Sequence, residues 1–127
     1  MSRSPGHQKW PEHQVRERRV GERTTVELGG RILADSRDAI RVEEDGSPAR
    51  YYFPRGDVRM ERLQRTATTS QCPFKGTAHY FSLSGDDGGA LEDAAWSYEE
   101  PFDEHAALKD RVAFYDDKYR DIHVRTE

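Results

Sequence analysis

The chain has 127 residues, a length that suits one folded unit. Hydrophobic residues make up 34% and charged residues 35%, a polar balance, yet five Phe, six Tyr and two Trp supply the aromatic mass of a small core and exclude a disordered tail. The net charge of −4 comes from mixed signs spread along the chain, which argues against an overall field for nucleic acid or an anionic membrane.

The single Cys excludes an internal disulfide, and no run approaches the ~18 apolar residues that span a bilayer. The polar start MSRSPGHQKWPEHQ has no apolar segment of the signal-peptide kind, so the expected compartment is the cytoplasm.

Residues 1–14 combine Pro5, Gly6 and Pro11 with polar groups, which predicts an extended N-terminal arm, with residues 15–127 as one domain. From Arg23 the texture changes. TTVELGGRILADS alternates Val26, Leu28, Ile32 and Ala34 around Gly29-Gly30, the pattern of a tight β-hairpin. AIRVEE sets Ile40 and Val42 between charges as a third strand, and DGSP supplies turn chemistry before Tyr51-Tyr52-Phe53. Pro54 interrupts strand pairing at its own position, because it has no N–H to give a ladder. DVRMERLQRT spaces Val58, Met60 and Leu63 as a strand with an irregularity, a spacing that a helix also satisfies. TAHYFSLS and ALEDAAWSY, on either side of DDGG, read as hairpin partners closed by Pro101. Residues 103–110, DEHAALKD, carry acids at the start and Lys109 near the end, which predicts one short helix. RVAFYDD and DIHVRTE read as two last strands. Short runs at regular spacing predict a mainly β fold of antiparallel sheets rather than alternating βαβ units.

Six segments in order, WPEH (10–13), GGRILADSRDA (29–39), YYFPRGDVRM (51–60), CPFKG (72–76), EDAAWSYEEP (92–101) and VAFYDD (112–117), resemble the bacterial family known as domain of unknown function 427, from Trp10 to about Val124. The resemblance implies a β-tent fold, two small antiparallel sheets joined at one end, as in methionine sulfoxide reductase B and the thalidomide-binding domain of cereblon. Some catalogues label the family a nucleotidyltransferase domain. The motifs give that label no support: no Gly-rich phosphate loop, Walker lysine or dinucleotide fingerprint precedes a helix. Asp86-Asp87 and Asp116-Asp117 are the pairs a magnesium-dependent transfer would use, but Gly88-Gly89 makes the first of them a hairpin turn. Several tent relatives hold zinc through two pairs of cysteines, which a chain with one Cys cannot build, and His7, His13, His79, His105 and His123 follow no ligand spacing. No metal and no cofactor is expected.

Cys72 and Lys75 share the CPFKG segment and are the catalytic candidates. A thiol becomes a nucleophile where a nearby cation lowers its pKa, and Lys75 is such a cation. The plainer reading is a turn-lining Cys beside a solvated Lys. His79 is the candidate base, or simply a strand residue. Tyr52, Arg55 and Asp57 form a second group: Arg55 offers a planar donor fork to a carboxylate or phosphate, and Asp57 orients it or meets ligand hydroxyls, unless the two form only a local surface pair. Tyr80, Trp96 and Tyr98 offer flat apolar walls, with core packing as the alternative for Trp96. Alternation along an unbulged strand sets Trp96 and Tyr98 on one face with Glu92 and Ala94.

Together these residues point to a domain that binds a small polar or anionic ligand between its sheets. Arg55 and Lys75 neutralise the ligand, Tyr52, Tyr80, Trp96 and Tyr98 wall it, Asp57 and Glu92 set hydrogen-bond polarity, and Cys72 sits at the rim. Two other readings stand beside it, an enzyme with Cys72 as nucleophile or redox centre, and an interaction module that docks a partner through the Trp10 arm or a sheet edge. The expected partner is a small molecule, with neither nucleic acid nor membrane, and the expected state is a monomer or homodimer.

Overall fold

The computed structural model describes residues 3–84 and 90–127, and the turn expected at Asp86-Asp87-Gly88-Gly89 lies outside the described residues. Gly29 and Gly30 take φ of 58° and 83°, the left-handed pair that a two-residue hairpin demands, and they connect β2 (Thr24–Leu28) to β3 (Arg31–Ser36) as expected. AIRVEE forms β4 (Ala39–Glu44), and the turn after it leads into β5 (Arg50–Tyr52). A strand with little apolar signal, β1 (Val15–Val20), covers the outer edge of β4. The CPFKG segment is the turn between β6 (Leu63–Cys72) and β7 (Gly76–Ser84), and β8 (Ala90–Tyr98) and β9 (Val112–Phe114) continue that sheet. The chain ends on β10 (Ile122–Thr126), which pairs with β2.

Among the described residues the fold is therefore mainly β with three antiparallel sheets, in the orders β1-β4-β5, β10-β2-β3 and β6-β7-β8-β9. The expectation of two sheets is corrected: β10 closes on β2 and makes the first hairpin part of a separate sheet. The four-stranded sheet carries a core on each face. Phe81, Leu83, Ala95 and Phe114 meet Val26, Leu28, Leu33 and Ala34 of the β2–β3 hairpin on one side. Ala78, Trp96, Tyr98 and Ala113 meet Ile40, Val42 and Tyr52 on the other. Strand alternation explains the division, since successive side chains leave opposite faces. It also explains the continuous burial from Ala94 to Tyr98, a strand covered on both sides. The same alternation splits Tyr52 from Phe53, which belong to different cores. Phe53 and Val112 exchange two backbone hydrogen bonds of 2.9 Å each, and this bridge joins the β1-β4-β5 sheet to the β6–β9 sheet.

Three local expectations are revised. The N-terminal arm contains a short helix, α1 (Pro5–Lys9), started by Ser4, whose Oγ accepts the His7 N–H at 3.2 Å, with Pro5 in the first turn where its missing N–H costs nothing. The arm is tied down: Gly6 N–H donates to the Pro73 carbonyl at 2.7 Å, and so does the Ser4 hydroxyl, also at 2.7 Å. Residues 103–110 form no regular α-helix. They make a 3-10 segment, Asp103–Leu108, interrupted at His105 (φ −126°), whose buried ring is held by Glu17 on one nitrogen and His7 on the other. The segment after Pro54 begins with two 3-10 turns, Arg55–Asp57 and Met60–Arg62, before the strand starts at Leu63. No helix among the described residues is long and apolar enough to cross a membrane.

Candidate functional site

Period-two alternation on β4, β5, β7 and β8 brings aromatic and charged side chains from two sheets to one cleft of about 150 Å³. Five rings line it: Tyr52, Tyr80, Trp96, Tyr98 and Tyr115. Trp96 and Tyr80 are direct cross-strand partners, and the indole lies 4.2 Å from the Tyr115 ring centroid and edge-on to Tyr52 at 6.1 Å. Trp96 Nε1 donates to the Tyr52 hydroxyl at 3.1 Å, which satisfies the buried indole N–H. Burial pushes the phenols of Tyr52 and Tyr98 well above the ordinary tyrosine range, so both keep their protons.

Two ion pairs border the rings. Lys75, buried, donates to Glu44, whose other carboxylate oxygen meets His13 Nε2 at 3.0 Å. Burial raises the Glu44 pKa, but the hydrogen bonds from Lys75 and His13 outweigh it and hold the carboxyl below its usual range. Arg50 makes a bidentate contact with Asp117 at 2.9 and 3.2 Å while its guanidinium lies 5.4 Å from the Trp96 ring and 5.1 Å from the Tyr115 ring. Among the described residues, both cations of this cleft have a carboxylate partner.

Of the anticipated site residues, Tyr52, Lys75, Tyr80, Trp96 and Tyr98 meet here. Cys72 ends β6, half-buried, and packs against the same apolar cluster without lining the cleft. Lys75 has Glu44 as its hydrogen-bond partner. His79 lies on β7 with Nε2 3.9 Å from Glu99. Arg55, Asp57 and Glu92 are elsewhere. Arg55 donates from Nη2 to Ser97 Oγ at 2.7 Å, and Ser97, next to Trp96 on β8, points to the opposite face of the sheet. Asp57 accepts from the Ser36 hydroxyl at 2.7 Å beside β3. Glu92 is exposed, because an irregularity with Asp93 at φ 50° breaks the alternation that would carry it to the Trp96 face, and Ala94 joins the other core.

Arg50, Glu44 and Tyr115 complete the site and escaped the sequence reading. The signal existed for two of them. Arg50 stands two residues before Tyr52 and Glu44 two after Val42, so each shares a face with a residue of the cleft.

On the opposite face of the four-stranded sheet, Glu99 is gripped by Arg65 at 2.7 and 2.8 Å and by Arg55 at 3.3 Å. The Arg65 hydrogen bonds, with smaller help from Arg55, overcome desolvation and bring the carboxyl down to about 2. A folded-state pKa below the unfolded value contributes stability that is complete above the ordinary value of 4.5 and is lost as pH falls towards 2. An NMR titration is expected to find Glu99 the most acidic glutamate of the four-stranded sheet, and Arg65→Ala should bring it back up. A wild-type Glu99 that titrates at the ordinary value would contradict the pairing.

A wide depression of about 750 Å³ runs beside the docked arm, lined by Trp10, Pro11, His13 and Phe74 among others, with Trp10 48% exposed. No group of three or more His, Cys, Asp or Glu side chains with metal-holding geometry occurs among the described residues.

Fold and site together define a mainly β protein of three antiparallel sheets with an aromatic, ion-paired cleft between two of them. A family model described as domain of unknown function (DUF427) matches residues 16–125, and the chain belongs to that family. Comparison with curated proteins gives no match.

Proposed function

We propose that the protein binds a small polar ligand in the cleft between the β1-β4-β5 and β6–β9 sheets. The observation that carries this reading is the convergence of five aromatic rings and two ion pairs, drawn from distant parts of the chain, on one opening of about 150 Å³. Stable folding asks for apolar residues at such positions. A lysine buried at the same site, with its carboxylate partner, carries a desolvation cost that a hydrophobic pair avoids, and ligand recognition is a physical reason to keep it. The Phe53–Val112 bridge, which joins these two sheets, supports the β-tent reading of the fold.

A thermal-shift panel of nucleotides, sugar acids and sulfur metabolites tests the proposal. A stabilising compound is expected to lose its effect in Tyr115→Ala, which removes a half-buried wall, and to keep it in Glu92→Ala, which alters an exposed side chain outside the cleft. A hit that survives Tyr115→Ala undiminished would move the ligand elsewhere and end this reading.

A further inference from the structure

The charges of the cleft restrict what it accepts. Each cation is already neutralised: Lys75 by Glu44, and Arg50 by Asp117, with Asp116 a further 3.6 Å contact. An anionic ligand would have to displace one of these carboxylates or sit beside it, and like charges at such distances repel in a partly desolvated site. A cationic ligand fares no better. The Arg50 guanidinium stands beside the Trp96 and Tyr115 rings, so a second cation drawn to them would meet like charge.

What the cleft leaves open are neutral hydrogen-bonding groups. The Tyr52 oxygen accepts from Trp96, which leaves its O–H proton without an acceptor among the described residues. The Tyr98 hydroxyl has no hydrogen bond among the described residues and lines the same space. Lys75 places one N–H on Glu44 and has two more to give. Tyr52, Tyr98 and Lys75, each with a donor to spare, are thus all lining residues of the cleft, and Glu44 is the acceptor among them. A group that matches both is a carbonyl next to an N–H, that is, an amide. An opening of about 150 Å³ matches the size of cavity that takes up one small ring.

From this we infer that the ligand is an uncharged, single-ring aryl or heteroaryl amide. Its ring lies among Tyr80, Trp96 and Tyr115, its carbonyl accepts from Tyr98 and Lys75, and its N–H donates to Glu44. The inference rests on the proposed binding role of the cleft and adds the charge and chemical class of what it takes.

Benzamide, benzoate and benzylamine share one shape and differ in charge, and their affinities for the full chain are measured by NMR titration at neutral pH. Benzamide is expected to shift the Trp96 indole and the neighbouring amides and to bind at least about tenfold more tightly than either charged probe, a gap of ~1.4 kcal/mol. Tyr98→Phe, which keeps the ring and removes the hydroxyl, should weaken benzamide about twofold to tenfold, the range of one hydrogen bond. Benzoate or benzylamine binding as tightly as benzamide at the Trp96 indole would overturn the uncharged class and leave the cleft's binding role standing. Benzamide binding unchanged in Tyr98→Phe would overturn the assigned orientation. If none of the three perturbs the Trp96 indole at millimolar excess, the aryl amide class is overturned, while the cleft's binding role is decided by the thermal-shift panel with Tyr115→Ala.

Discussion

Phe53→Ala is expected to lower the unfolding free energy by about 3–5 kcal/mol, a large part of the ~5–15 kcal/mol that a protein of this size has. Phe53 is completely buried and sits edge-on to Phe114 at 6.2 Å. Its backbone makes the paired hydrogen bonds to Val112 that join two sheets, so the truncation opens a cavity where the layers cannot close independently. Backbone bonds persist in the variant, and the cost comes from lost burial and from unfilled space. Urea unfolding read by fluorescence measures it, with an unchanged dependence on denaturant as the sign that only stability moved. Tyr51→Ala is the internal control, since Tyr51 packs only at the edge of the same core and should cost clearly less. A loss under about 1 kcal/mol for Phe53→Ala would contradict its position as the joint between sheets.

Gly6→Ala is expected to release the N-terminal arm altogether. A Cβ at this position would stand 2.6 Å from the Pro73 carbonyl oxygen and 2.8 Å from the Phe74 ring, and the carbonyl is backbone, which cannot swing aside as the end of a flexible side chain can. The Gly6 N–H to Pro73 bond of 2.7 Å would break with it. Amide hydrogen exchange at Gly6 and Trp10, corrected for intrinsic rates, is expected to lose its protection in the variant while the β7 and β8 amides keep theirs. Full protection of the arm in Gly6→Ala would show that the docking is looser than its contacts imply.

The same interface carries a pH dependence. His7 Nε2 and His105 Nε2 meet at 2.8 Å, a contact that needs one imidazole to accept. Around them stand Glu17, bonded to His105 Nδ1, Glu104, which accepts the Ser4 N–H, and the His13–Glu44 pair. Desolvation and then the His105 ring hold the His7 pKa below 6.5, outweighing the attraction of Glu104. A histidine depressed on docking binds its proton more readily in the free arm, so docking is strongest above 6.5 and weakens as pH falls below it. Protection of the Gly6 amide should therefore be steady above about pH 7 and decline towards pH 5.5, and His7→Phe should flatten that decline. Equal protection at both ends of the range would leave the histidine pair without a role in docking.

Local chemistry in the chain was enough for the strands whose patterns are self-contained. Gly29-Gly30 set the first hairpin because no other residues reach both positive φ values so readily, the period of two in AIRVEE set a third strand, and the aromatic and β-branched content of TAHYFSLS set a fourth, with ALEDAAWSY as its partner. β1 was not legible. VRERRV has apolar residues only at its ends, and its inward positions are occupied by Glu17, which bonds His105, a residue 88 positions away. The segment at 103–110 has helical chemistry, but those long-range bonds to His105 bend it into 3-10 turns.

The site divides in the same way. By themselves the residues determined that this chain is mainly β and which family it resembles, and they singled out Tyr52, Tyr80, Trp96, Tyr98 and Lys75, which line one cleft. Only the tertiary structure decided that Arg50 rather than Arg55, and Glu44 rather than Glu92, stand beside them. The reason is geometric: a strand sends neighbouring side chains to opposite faces, so which face a charge serves depends on register and on irregularities such as the one at Asp93. Those are set by pairing between strands far apart in the chain, and no local pattern encodes them.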